Sequence, residues 1–267
     1  MIFLGLGTNI GNREENLQTA LIKLAEKGLQ ILKTSTIYET APWGYVSQEN
    51  FLNLVVQVDF EGTAEALLEI ALKVEAEMGR IREQKWGPRL IDIDVLEFHR
   101  QIIQNESLTL PHPLYPEREF VMQPLLEIAP HWQTTSDLIK AYQQTNYKVA
   151  ALGFSIRVGE ENEQLTQYLQ QNQVLEWAFL TAWNPFSEEF SFSENGKRNE
   201  ALETLLSDYK RWKGEGVGEN SGWQPEESFF IENITLEKAK TLGRQFQQNA
   251  LLWGKYGEPA QLIWLNP

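Results

Sequence analysis

No cysteine occurs in the 267 residues, which excludes disulfides, thiolate metal sites and thiol nucleophiles and suits a reducing compartment. No apolar run approaches the roughly eighteen residues of a membrane span, and the opening "MIFLGLGTNIGN" has no basic region ahead of an apolar one. A soluble cytoplasmic protein is the expectation. Bases are outnumbered by acids, 23 to 37, for a net charge of −14. Duplex nucleic acid needs a cationic face and is therefore not the expected partner, nor is a membrane. No internal repeat or low-complexity linker is visible. What is present is a chain with 42% apolar residues, long enough for one large domain or two ordinary ones with real cores.

Against this acidic background, "GRIREQKWGPR", residues 79–89, gathers Arg80, Arg82, Lys85 and Arg89 around a single acid, Glu83. At a Debye length of about 8 Å, a polyanion at this cluster would feel those cations more than distant acids, so the cluster suits phosphates. It runs into "LIDIDVLEF", where branched and apolar residues mark a strand and Asp92 and Asp94 leave one face. Their Cα atoms lie roughly 6.6 Å apart at about 3.3 Å per residue. Two readings fit this pattern: a carboxylate pair for Mg²⁺ and substrate phosphates, or a solvated strand face on which arginines pair the aspartates. His112, in "LPHPLYPER", is one of 3 histidines and reads as a proton donor, a phosphate contact or an incidental loop residue. "GLGTNIGN" does not make a dinucleotide fingerprint, because Gly11 lies one residue too far beyond Gly7; a tight strand-to-helix turn capped by Asn12 fits better.

Periodicity predicts a strand at the start, an amphipathic helix over 12–28 and a strand over 29–40. A further strand follows over 51–60, where Phe51 and Asn53 share one face, then a helix over 63–79 ended by Gly79, and the Asp strand. A proline-punctuated segment leads into a short helix before residue 130. The pattern restarts near residue 134, with helices over 136–144, 162–172, 199–212 and 235–248. Strands are expected over 151–159, 177–185, 227–233, 250–254 and 260–265, and the glycine-rich 213–223 reads as a turn. Two domains are expected, 1–136 and 137–267.

Together, "GLGTNIGN", "YETAPWGYVSQENFLN", "EMGRIREQKWGPRLIDIDVL" and "LPHPLYPEREFVMQPLLEIAP" closely resemble the 6-hydroxymethyl-7,8-dihydropterin pyrophosphokinase family of the folate pathway, over about residues 1–130. The resemblance implies an α+β, ferredoxin-like three-layer α/β/α domain that transfers diphosphate from ATP to the pterin hydroxymethyl group and releases AMP. It implies two Mg²⁺ ions on Asp92 and Asp94, with Arg82 and Arg89 completing the catalytic set. ATP contacts fall on Glu75, Arg80, Arg82, Trp86, Arg89, Val95, His112 and Arg118, the basic loop acting as a lid. Pterin contacts fall on Thr40, Ala41, Trp43, Phe51, Asn53, Asp92 and Phe120, the two phenylalanines sandwiching the bicycle. Departures from the common family pattern are Ala41 in place of proline, Phe51 in place of tyrosine, Glu83 in place of lysine, and a lid one residue short near Gln84. ATP and the pterin are the implied partners, with a link to other folate enzymes; a non-catalytic pterin- or nucleotide-binding module is the alternative.

"FSIRVGEEN", "AFLTAWNPFS", "GWQPEESFF" and "LGRQFQQNALLWG" resemble a bacterial domain family of unknown function over roughly 140–265, read here as a second small α/β domain. Asn184, Trp223, Glu226, Arg244, Gln248 and Asn249 are its candidate pocket residues, against the reading that they form turns and core edges.

Overall fold

The computed structural model describes residues 1–42, 48–80, 87–218 and 224–265. The chain forms two compact units, Met1–Thr135 and Ser136–Pro267. Among the described residues no helix is long and apolar enough to cross a membrane.

In the first unit, β1 (Ile2–Thr8), α1 (Arg13–Glu26), β2 (Gln30–Thr34), β3 (Tyr38–Thr40), β4 (Phe51–Asp59), α2 (Ala64–Glu77) and β5 (Asp92–Phe98) follow in sequence. The sheet order β2-β4-β1-β5 is antiparallel throughout, with β3 also paired to β4, which is the ferredoxin-like arrangement. Asn12 caps α1 by accepting from the Glu15 N–H, and Thr63 caps α2 by accepting from the Ala66 N–H. A two-strand hairpin, β6 (Ile103–Gln104) and β7 (Thr109–Leu110), precedes α3 (Glu119–Ile128).

Alternation along the strands builds the layers. Ile2, Leu4, Leu6, Leu54, Val56, Ile93 and Val95 pack with Leu17, Leu24, Leu67 and Val74 of α1 and α2. Phe3, Val55 and Leu96 point the other way, onto Tyr115, Val121 and Leu125 around α3. Burying each such side chain contributes about 1.5–3 kcal/mol, so both faces carry weight.

The expected single strand over 29–40 is two. Ser35 Oγ takes the ladder position opposite the Val55 N–H at 3.0 Å, and the Thr36 N–H turns to the Glu127 carboxylate, which interrupts the strand between β2 and β3. A register slip between Phe3 and Leu4 leaves Leu96 without a partner on β1. Leu96 and Glu97 consequently both reach the Tyr115 cluster, where simple alternation would separate them.

The second unit contains α4 (Thr135–Gln144), which starts at the boundary, β8 (Asn146–Val149), β9 (Phe154–Ile156), α5 (Glu163–Gln171) and β10 (Glu176–Leu180). After these come α6 (Phe192–Leu205), β11 (Arg211–Val217), β12 (Glu226–Glu232), α7 (Leu236–Gln245), β13 (Ala250–Lys255) and β14 (Gln261–Trp264). Its strands form one antiparallel sheet, β14-β13-β10-β12-β11-β8-β9. Trp177, Phe179 and Phe230 pack to one face with α5; Ala178, Leu180, Phe229 and Ile231 pack to the other with α6 and α7.

Two expectations are corrected here. The glycine-rich "KGEGV" is strand, not turn: a Cβ on Gly214 would sit 2.7 Å from the Phe179 ring and 2.8 Å from the Lys148 carbonyl, so glycine serves close packing of ring and neighbouring strand. Helix α6 starts at Phe192 because Ser191 and Glu194 form a capping box, and it ends before the expected 206–212.

Candidate functional site

A cleft of about 600 Å³ opens over the α3 side of the first sheet. Its floor is made by what β1 lacks. Gly5 stands opposite Val55 and Asp94, and Gly7 opposite Asn53 and Asp92, so two positions of the central strand leave room above the sheet. A Cβ on Gly7 would meet Asn53 Oδ1 at 2.9 Å.

Asp92 and Asp94 project into this space from β5, as their two-residue spacing requires. Asp92 is held by two guanidiniums, Arg80 Nη1 at 2.6 Å and Arg89 Nη1. Asp94 has looser company, Arg118 Nη1 at 3.6 Å and His112 Nε2 at 4.0 Å. Although 36% of its side chain is open to the cleft, its carboxyl is pushed up to about 7, first by the recessed position and then by the Asp92 charge. His112 is pushed down to about 4 by burial and by Arg118, so it is neutral near pH 7. Its Nδ1 accepts from the Leu114 N–H at 3.3 Å, which leaves Nε2 to carry the proton and face the cleft.

Phe51, at the start of β4, and Phe120, in the first turn of α3, line the same cleft, each beside an arginine. The Arg89 guanidinium lies 5.9 Å from the Phe51 centroid and that of Arg118 lies 5.6 Å from Phe120. Asn53 Nδ2 donates to Thr40 Oγ1 at 2.8 Å, which orients both polar groups next to Phe51.

Every expected site residue of the first unit that lies within the described segments lines this cleft: Thr40, Ala41, Phe51, Asn53, Glu75, Arg80, Arg89, Asp92, Asp94, Val95, His112, Arg118 and Phe120. Val95 does so from a side chain packed into the α1/α2 core. Trp43, Arg82 and Trp86, with Glu83 and Gln84, lie outside the described residues, as does Trp223.

Sequence reasoning missed Asn9. It is buried, its Oδ1 accepts from the Arg89 N–H at 2.8 Å, its own N–H donates to the Arg89 carbonyl, and its Nδ2 reaches Glu49 O and Gln48 Oε1. It thereby ties the approach to Phe51 to the approach to Asp92. Also missed is an apolar wall, Leu68, Leu72 and Leu108 with Thr109, beyond Val95. The signals were an asparagine inside "GTNIG" and leucines on the outer stripe of α2; neither reveals its distant partner.

Among the described residues no group of three or more His, Cys, Asp or Glu is arranged to hold a metal. The pair Asp92 and Asp94 nevertheless fits Mg²⁺, which commonly takes one or two carboxylates and completes its shell with water and substrate phosphates. The Asp94 carboxyl is raised first by its burial and then by the neighbouring Asp92 charge, and a bound cation would favour its ionised form.

In the second unit, Asn184, Glu226, Gln248 and Asn249 converge on one turn, whereas Arg244 Nε donates to the Leu265 carbonyl. Asn184 Nδ2 donates to Glu226 Oε1, Gln248 Nε2 to Trp183 O, and Asn249 Nδ2 to Ser187 Oγ. Asn195 and Asn199, not anticipated, bond the backbone N–H groups of Asn184 and Ala182. These carboxamides hold a backbone in which Asn184, Phe186 and Ser187 all have positive φ, a conformation costing about 1 kcal/mol or more per residue.

A ferredoxin-like sheet whose cleft joins paired aspartates, several guanidiniums and two aromatic faces has the chemistry of a transferase site for phosphorylated and flat substrates. Residues 3–130 match the family described as 7,8-dihydro-6-hydroxymethylpterin-pyrophosphokinase. A 2-amino-4-hydroxy-6-hydroxymethyldihydropteridine pyrophosphokinase of Methylorubrum extorquens is 47% identical over 129 residues, covering 48% of this chain and 82% of the relative. The protein of the same name from Aquifex aeolicus is 44% identical over 130 residues, covering 49% and 81%. The folic acid synthesis protein fol1 of Schizosaccharomyces pombe is 32% identical over 221 residues, covering 80% of this chain and 28% of that longer protein. The chain belongs to the 7,8-dihydro-6-hydroxymethylpterin-pyrophosphokinase family. Residues 180–251 match a second family, described as a protein of unknown function (DUF3293).

Proposed function

We propose that the first unit transfers diphosphate from ATP to the hydroxymethyl group of 6-hydroxymethyl-7,8-dihydropterin, giving the pterin diphosphate and AMP, as a step of folate synthesis. The hydroxymethyl oxygen bonds to the β-phosphorus of ATP, the bond from that phosphorus to the α-phosphate bridging oxygen breaks, and the hydroxyl proton is lost. The observation that carries this reading is that aspartate pair, arginines and phenylalanine pair share one cleft.

The residues divide the work by chemistry. Phe51 and Phe120 offer faces to the flat pterin, each stack adding about 0.5–1.5 kcal/mol beyond burial, and the Thr40–Asn53 pair offers directed polar groups to its edge. Leu68, Leu72, Val95 and Leu108 form a shelf suited to the adenine base. Arg118 and neutral His112, with Nε2 carrying its proton, supply donors to phosphate oxygens beside Asp94. Arg89 lies between Phe51 and Asp92, where pterin hydroxyl and transferred phosphate meet, and counters charge developing on the phosphoryl oxygens. Asp92 and Asp94 would hold Mg²⁺, which when bound draws phosphate oxygens together and withdraws electron density from phosphorus.

AMP release from Mg²⁺–ATP and 6-hydroxymethyl-7,8-dihydropterin, measured on the full chain and on residues 1–136, tests both the reaction and the proposal that the first unit suffices as a domain. Activity in both is expected. Activity in neither refutes the reaction; activity at full length alone refutes the self-sufficient domain.

A further inference from the structure

Thr40 and Phe51 face each other as the last pair of the β3/β4 ladder, whose register is Tyr38 to Asn53, Glu39 to Leu52 and Thr40 to Phe51. β3 has only 3 residues, and beyond this pair the chain leaves the sheet. So short a ladder end opens readily, because few bonds must break to free it. Whatever closes it decides where the Phe51 ring and the Thr40 hydroxyl stand.

Arg13 closes it. As the first residue of α1 it sets a positive charge against the helix dipole, so helix formation alone does not favour an arginine there. Its Nη1 donates to Glu39 Oε1 at 2.8 Å and to the Asn50 carbonyl at 2.8 Å. Glu39 immediately precedes Thr40, and Asn50 immediately precedes Phe51, so one nitrogen ties both chains of the ladder end. Glu39 alternates with Tyr38 and Thr40 and leaves the face opposite to theirs. Arg13, Glu39 and Asn50 are not among the described residues that line the cleft. The tie therefore works from behind the pterin residues. With side chains 31% and 52% exposed, the Arg13–Glu39 pair adds little to overall stability, and its effect is confined to the strand end it joins.

We propose that Arg13 is a positioning residue for the pterin: by joining Glu39 to the Asn50 carbonyl it holds Thr40 and Phe51 at the spacing the bicycle needs, without touching it. The inference rests on the function proposed above. Its physical content is a division between substrates. The aspartates, Arg118 and His112 stand on other elements, so nucleotide binding does not depend on this tie.

The test compares the full chain with Arg13→Ala, Glu39→Ala and the double variant. Isothermal titration reads the Kd of a non-hydrolysable ATP analogue and then that of the pterin with the analogue bound, while AMP release gives kcat and the pterin KM. Amide hydrogen exchange over residues 38–40 and 51–53 reads the ladder end itself. Arg13→Ala is expected to raise pterin Kd and KM at least about threefold, with nucleotide Kd and kcat within about twofold of the parent. The double variant should match Arg13→Ala within about twofold, because both substitutions remove the same tie. Exchange should quicken at the ladder end and stay unchanged in β1. A smaller rise in pterin Kd, an equal loss of nucleotide affinity, or effects of the two substitutions that multiply overturns the proposal. A parent protein that binds no pterin and releases no AMP refutes the proposed function, while the exchange comparison still decides whether Arg13 holds the ladder end.

Discussion

Gly7→Ala is a small change with a readable consequence. Gly7 has no positive φ, so an alanine backbone is unstrained there; the obstacle is the side-chain amide above it. The new Cβ would lie 2.9 Å from Asn53 Oδ1, about half an ångström short of the 3.4 Å at which ordinary contact begins. Asn53 must retreat, and its 2.8 Å bond to Thr40 must lengthen or break. A lost hydrogen bond of this kind costs about 0.5–1.5 kcal/mol, and the forced repacking about 1–3 kcal/mol. If Asn53 and Thr40 read the pterin edge, pterin Kd should rise about two- to tenfold at 1.4 kcal/mol per decade. Nucleotide affinity should stay unchanged, because the aspartates and Arg118 are not displaced. Isothermal titration with pterin and with a non-hydrolysable ATP analogue measures both. Unaltered pterin affinity with a normally folded protein would refute the assignment, and equal losses for both ligands would show a general collapse of the sheet face.

Asn9→Ala removes the acceptor of the half-buried Arg89 N–H and the bonds to residues 48 and 49; about 1–3 kcal/mol of stability and a marked fall in kcat are expected, checked by thermal melting and AMP release. Glu97 is fully buried, and burial raises its carboxyl above its ordinary value of 4.5 although Tyr115 and Thr135 donate to it. The folded state therefore holds this proton where the unfolded state has released it, so the group's contribution to stability is greatest below 4.5 and declines as pH rises through the raised value. Urea titrations followed by circular dichroism should show that decline flattened in Glu97→Gln; an identical slope in the variant contradicts the burial argument. A fragment ending at residue 133 should be less stable than one ending at 136, since it lacks the Thr135 N–H and hydroxyl that donate to Glu97 at 3.1 and 2.9 Å. Gly214→Ala should lower the melting of the second unit with AMP release retained, because its Cβ would strike the Phe179 ring and the Lys148 carbonyl; unchanged melting would mean the strands can separate there at little cost.

The local chemistry of the chain was enough to place its principal elements and the motif on which the site is built. Period-3.6 leucines with Asn12 and Thr63 as caps mark α1 and α2, and the two-residue spacing of Asp92 and Asp94 puts both on one face of β5, because these depend on neighbours a few residues away. The resemblance carried in "RLIDIDVL" and "LPHPLYPER" named the family. Tertiary structure alone decided the rest. Asn9 meets Arg89 across 80 residues, Glu75 meets Ile93 across 18 from helix to strand edge, and a register slip brings Glu97 to Tyr115 against the alternation of its strand. Gly214, which read as part of a turn, is a strand residue opposite crowded side chains, and Gly7, in the expected first strand, faces a side chain that its local sequence does not reveal. Such pairings depend on which strands become neighbours and in what register. Backbone hydrogen bonding and core packing over the whole sheet set that choice, which no local spacing contains.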